Sequence, residues 1–187
     1  MYDFTLYSIL FFIAGALVLM IAGIIWSRRP AQGLLPFCLF LLAAAEWSIC
    51  AGLEFGAPDI PTRIQIVQFQ YISVVSSGVL WLFFTLDYAG YRWWKRPRYF
   101  IPFCIIPVFI LILTFSNSWR HLIWSNIYMA NDNGVAYSVW SHGSLFLVNP
   151  IYQYLLYLSG FVIFFIYGIK QPPVFRTHCF SQSIKSY

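Results

Sequence analysis

Residues 47–98 read WSICAGLEFGAPDIPTRIQIVQFQYISVVSSGVLWLFFTLDYAGYRWWKRPR. The segment contains the end of one apolar run, a short acidic turn, a second apolar run and then a burst of positive charge. The turn carries Glu54 and Asp59 against Arg63, and the far end carries Arg92, Lys95, Arg96 and Arg98 beside Trp93 and Trp94. An apolar span with acid at one end and base plus Trp at the other is what membrane insertion selects, because cytoplasmic loops retain Lys and Arg while indoles settle at the interface.

The rest of the chain repeats this pattern. Of 187 residues, 60% are hydrophobic and 9% charged, and a bilayer core needs about 20 apolar residues per helix. Five runs meet or approach that length: Leu6 to Trp26, Leu34 to Leu53, Ile64 to Leu86, Phe100 to Phe115 and Leu145 to Ile169. The first follows Met1-Tyr-Asp3 without a basic leader or small-residue cleavage site, so it reads as a retained helix rather than a signal peptide. Pro30 sits beside Arg28 and Arg29 in an inner turn, and Pro107 predicts a kink in the fourth run.

Outside the spans, residues 116–144 form a long polar loop, with Trp119, Trp124 and Trp140 expected as interface anchors. Within it, Asn131-Asp-Asn-Gly134 is a turn signal, and the flanking Ile127–Ala130 and Val135–Trp140 read as hairpin strands. With the N-terminus outside, the inner segments hold Arg28, Arg29, Arg92, Lys95, Arg96, Arg98, Lys170, Arg176 and Lys185, and the outer ones only Arg63 and Arg120. The expected fold is an all-α, polytopic membrane bundle of five helices with the N-terminus outside. Residues 1–169 form the membrane region, and residues 170–187 a cytoplasmic tail.

The net charge of +5 lies in short clusters between apolar runs, which speaks for membrane orientation and against a nucleic-acid partner. Cys38, Cys50 and Cys104 fall inside apolar runs and Cys179 in the tail, with no CxxC spacing; they read as small buried hydrophobes. No cofactor is implied. His121, His142 and Asp132 are scattered without metal-ligand spacing, and neither a P-loop nor a nucleophile elbow occurs, so the chain does not read as an enzyme.

The candidate functional residues are Glu46, Trp47, Glu54, His121 and Trp124. Glu46 is an ionisable group within a span, costly there and so a functional candidate; Ser73, Ser76 and Ser77 are its prospective partners. Trp47 and Glu54 lie two turns apart on one helix face, with Arg63 available to pair with Glu54. His121 and Trp124 would be one turn apart on a helix. Trp81, Phe83, Phe84, Trp93 and Trp94 read as lipid-facing or belt aromatics, and Asp87 as a partner for the nearby basic cluster.

Several of these features occur together in a known pattern: Trp47 and Glu54 seven apart, Gln68-Phe-Gln-Tyr-Ile72, Trp81-Leu-Phe83, Asp87-Tyr-Ala-Gly90, Trp119-Arg-His-Leu-Ile-Trp124 and Tyr152-Gln-Tyr-Leu-Leu156. In their order and spacing the chain resembles the N-terminal seven-helix membrane region of histidine kinases, found also on some diguanylate cyclases. The resemblance runs to Lys170. It implies a sensory input region in a prokaryotic plasma membrane, acting as a homodimer and responding to a small ligand. Two departures are visible. Gly78 stands where the family usually has a helix-three proline. The family also continues through two more helices into a cytoplasmic output domain, so five spans and an unmatched tail imply a truncated, frameshifted or excerpted chain. A small transporter or channel subunit, and a structural assembly protein, are the alternative functions.

Overall fold

The computed structural model describes residues 4–28, 33–132 and 135–170, with residues 131, 132, 135 and 136 as backbone alone. Arg29, Cys179, Arg176, Lys185 and the tail beyond Lys170 lie outside the described residues.

The described residues form six α-helices and one hairpin: α1 (Leu6–Ser27), α2 (Leu34–Gly56), α3 (Ile60–Tyr88), α4 (Pro97–Phe115), the single turn α5 (Asn117–Arg120), β1 (Trp124–Asp132), β2 (Val135–His142) and α6 (Val148–Lys170). Every helix but α5 is long and apolar enough to cross a bilayer, five candidate spans among the described residues. The protein is a multi-pass membrane bundle. α4 remains one helix through both Pro102 and Pro107.

α3 is the centre, packing against α2, α4 and α6, while α1 packs chiefly against α2. Close approach of α1 and α2 depends on small residues: a Cβ on Gly15 would lie 3.0 Å from Ile49, and one on Gly52 2.7 Å from the Phe12 ring. Asp59 starts α3 by accepting the Thr62 N–H at 2.9 Å, with Pro61 in the first turn, where its missing N–H costs nothing.

Two buried clusters line α3. The outer one joins Val67, Val75, Ile110, Leu113, Ile123 and Trp124. In the inner one, with Val79, Leu82, Leu86 and Leu156, Phe83 stacks on Trp94 at 4.5 Å. Phe83 and Trp94 are therefore core residues rather than lipid-facing ones, because the 3₁₀ turn Trp93–Lys95 folds back under α3. Trp93 stays exposed. The same inner end is tied by Asp87, which accepts the Gly33 N–H at 3.1 Å and pairs with Lys95 at 2.9 Å. Gly33 has φ +78 against Tyr88, a left-handed conformation that favours glycine.

α6 buries one narrow stripe, Asn149, Gln153, Leu156 and Gly160, and none of its described residues after Gly160 is buried. At the opposite end the hairpin strands pair antiparallel, with Ile127 opposite Trp140 and Tyr128 opposite Val139.

Candidate functional site

α2 and α6 both lie against α3, and the gap between them is a cleft of about 490 Å³. That is within the range of small-molecule sites, which are mostly apolar with a few placed polar groups. Its walls include Phe40, Trp47, Tyr71, Phe146 and Tyr157, and its polar groups include Ser73, Ser77, Asn149 and Gln153.

Glu46 does not line this cleft but is joined to one of its residues, Ser73. Ser73 Oγ donates to Glu46 Oε2, and Cys50 Sγ donates to Oε1 at 3.1 Å. Of the three serines, Ser73 alone supplies the bond. Ser76 donates to Ile72 O and Ser77 to Val74 O within their own helix, the usual refuge of a hydroxyl inside a span. Trp47 is 41% exposed, edge-on to Phe11 at 5.9 Å, and its carbonyl accepts from Gln70 Nε2 at 3.3 Å.

On the facing side, Gln153 clasps the α3 backbone. Its Nε2 donates to Val75 O at 2.8 Å and its Oε1 accepts the Gly78 N–H at 2.9 Å. A Cβ at Gly78 would lie 2.1 Å from that Oε1, so glycine at this departure from the family pattern leaves room for the amide. Sequence reasoning missed Gln153 and Asn149. Two amides four residues apart at the head of an apolar run were the available signal, since such groups bond across helices in lipid.

Glu54 lies elsewhere, at the outer end of α2. It accepts from the Trp140 indole and interacts with the charge of Arg63. Arg63 is 3% exposed and donates to Ala57 O at 3.1 Å and Ser138 Oγ at 3.0 Å. Trp47 and Glu54 thus serve different places, and Trp140 fastens the hairpin to α2 rather than anchoring an interface.

His121 and Trp124 share no helix. α5 ends at Arg120, and His121 takes φ +50 beyond it. Asn117 then turns the chain into β1: its Oδ1 accepts from Ile123 N and Trp124 N at 2.8 and 3.1 Å, and its Nδ2 donates to Trp124 O at 3.0 Å. Trp124 is consequently buried, edge-on to Tyr71 at 5.2 Å, and not an interface anchor, whereas Trp119 is 89% exposed. Both His121 and Trp124 nevertheless border a small outer pocket of about 190 Å³. His142 stacks on Phe146 at 3.7 Å. Among the described residues no three His, Cys, Asp or Glu side chains gather as a metal group; the side chain of Asp132 is not among those described.

The five candidates are therefore distributed over three places: the cleft, the outer Arg63 cluster and the outer pocket. The family model for the N-terminal 7TM region of histidine kinase matches residues 10–183. The chain belongs to this family. The match to the histidine kinase 7TM region extends beyond Lys170, where the resemblance carried by the motifs stops. What it covers is a sensor region and not a catalytic domain. No curated protein and no solved structure matches the chain.

Proposed function

We propose that this chain is the membrane-embedded input region of a histidine-kinase-type receptor in a prokaryotic plasma membrane. Its N-terminus lies outside and its α6 inner end leads toward the signalling output. The family match over residues 10–183 carries this reading. The charge distribution supports the orientation, with nine basic residues in inner segments against two in outer ones. The chain holds no catalytic signature of its own, and the family resemblance implies action as a homodimer.

Signalling in such a bundle is a shift between two packings, and a stimulus biases it only through different affinity for each. The groups that would differ between packings are those joining α2, α3 and α6: Glu46 with Ser73, and Gln153 with the Gly78 turn. Glu46 has both oxygens hydrogen-bonded within the bundle, which favours a packing role over a transport pathway.

The test needs no known stimulus. The chain is joined through α6 to the soluble core of a histidine kinase and the chimera is placed in vesicles. Glu46→Gln should change its autophosphorylation by about five-fold, the low end of an allosteric coupling. A chimera whose activity equals that of the isolated core, with and without the substitution, would overturn the receptor reading.

A further inference from the structure

The cleft between α2 and α6 contains an amide that the bundle uses only through its oxygen. Asn149 is only 6% exposed, and it borders the cleft. Its Oδ1 is approached by Gln153 Nε2 at 3.4 Å. Among the described residues its Nδ2 has no hydrogen-bond partner. Nδ2 is not among the sealed, unpartnered polar atoms of the bundle, so it keeps accessible surface beside the cleft, where a bound acceptor could pair with it. Across the cleft, Ser77 directs its proton to Val74 O at 3.0 Å, leaving its oxygen lone pairs free to accept.

The charge around these two groups is as informative. None of the residues lining the cleft is Lys, Arg, His, Asp or Glu. The nearest carboxylate, Glu46, is already engaged by Ser73 and Cys50. A charged ligand would enter this site without a counter-charge, at the high cost of an uncompensated ion in low dielectric. The walls are aromatic, formed by Phe40, Trp47, Tyr71 and Tyr157, which favours a flat apolar body.

We infer that the cleft is a binding site for an uncharged, lipid-soluble aromatic molecule bearing a carbonyl group, held by a hydrogen bond from Asn149 Nδ2 and stacked among the α2 and α3 aromatics. A hydroxyl on the same molecule would find its acceptor in Ser77 Oγ. The ligand enters from the bilayer, since Trp47 and Tyr154 on the cleft rim are 41% and 74% exposed on the membrane-spanning surface. This deepens the receptor reading by naming what the input region would detect. Binding is nonetheless measured on the chain alone, so it stands or falls separately from output in the chimera.

Benzophenone is a suitable probe, being a neutral diaryl ketone that photolabels whatever holds it. The full chain in phosphatidylcholine nanodiscs is irradiated with benzophenone, and labelled peptides are mapped by mass spectrometry with and without excess fluorenone as competitor. Labelling is expected on Trp47 and on residues 71–77, suppressed by fluorenone. Asn149→Leu should weaken it by about ten-fold, the worth of one buried hydrogen bond. This variant keeps the Gln153 clasp on Val75 and Gly78, so helix content and monodispersity should hold. Should it misfold, Ser77→Trp, which fills the cleft, should abolish the same labelling. The anionic 4-benzoylbenzoate should label the cleft poorly. Labelling spread evenly over the lipid-facing sides of α1 and α6, or saturable labelling indifferent to both substitutions, or equal labelling by the anion, would overturn the assignment. Cleft labelling together with a chimera insensitive to Glu46→Gln would retain the site and discard the receptor.

Discussion

α1 and α3 are both membrane helices, yet they are built on opposite rules. α1 is the most apolar span and has 17% of its apolar stretch buried; α3 is the longest and among the least apolar, with 50% buried. In water the apolar helix would be the inner one. In lipid the solvent is itself apolar, so burial no longer rewards hydrocarbon, and helices associate through close packing and polar contacts. α3 accordingly holds Arg63, Gln70, Ser73, Thr85 and Asp87 among its buried residues, while α1 buries only Ser8, Gly15 and Ala22. The more polar helix is the scaffold, and the more apolar one is the wall facing lipid.

Substituting equivalent residues in the two helices should separate them most sharply. Gly78→Ala places a Cβ 2.1 Å from Gln153 Oε1, ejecting the amide and both of its backbone bonds. The combined overpacking and hydrogen-bond loss should cost about 3 kcal/mol, read as an earlier midpoint in SDS titration from mixed micelles. Gly23→Ala on α1, where nothing lies within 4 Å of the new Cβ, should leave the midpoint unmoved or slightly raised, as helix propensity favours Ala. Equal losses at both sites would erase the distinction.

Arg63→Leu tests whether the buried charge of α3 holds the hairpin. It removes the donors to Ala57 O and Ser138 Oγ and leaves Glu54 without its cation. Destabilisation of about 2 kcal/mol is expected, below the figure for fully buried pairs because Glu54 is half-buried. Proteolysis between β1 and β2 should accelerate in parallel; an unchanged cleavage rate would show that the hairpin holds itself.

The smallest effect belongs to the cap of α3. Asp59 is solvent-exposed, and the hydrogen bond from the Thr62 backbone holds its carboxyl below the usual range. Because its folded value is depressed, its stabilisation is present above the unfolded value of about 3.9 and lost as pH falls through the folded one. Asp59→Asn keeps the cap but removes that titration. Its midpoint should match the parent near neutral pH and decline less on acidification toward about pH 3. A parallel decline would assign the acid sensitivity to other carboxylates.

Features set by neighbours in sequence were legible from the chain alone. Five apolar runs became five long helices, the first half of the Asn131–Gly134 signal lies in β1, paired with the start of β2, and Asp87 met the basic cluster through Lys95. Glu46 was identifiable because a carboxylate in a span demands a partner, and Ser73 provides it. What required the third dimension was less visible. Phe83, Trp94 and Trp124 carry the same composition as belt aromatics, and only the return of the 3₁₀ turn and the Asn117 clamp bury them. The cleft was invisible for a related reason: it exists because α2 and α6 approach α3 without closing on each other. Asn149 and Gln153 left a sequence trace as two amides one turn apart, but their destination on the α3 backbone left none.

The stripe of buried residues on α6 ends at Gly160, and the inner turns of α1–α2 and α3–α4 are knotted together at Asp87. Mechanically, this makes a fixed base with a lever resting on it through the rings of Phe164 and Tyr167 against Tyr88. From the Gln153 clasp to Lys170 the helix runs seventeen residues, roughly 25 Å at 1.5 Å each. Tilting α6 by about 5° around the clasp would swing its inner tip by roughly 2 Å, the scale of helix shift that switches packed interfaces. A sub-ångström adjustment near the fulcrum would reach the inner surface already amplified.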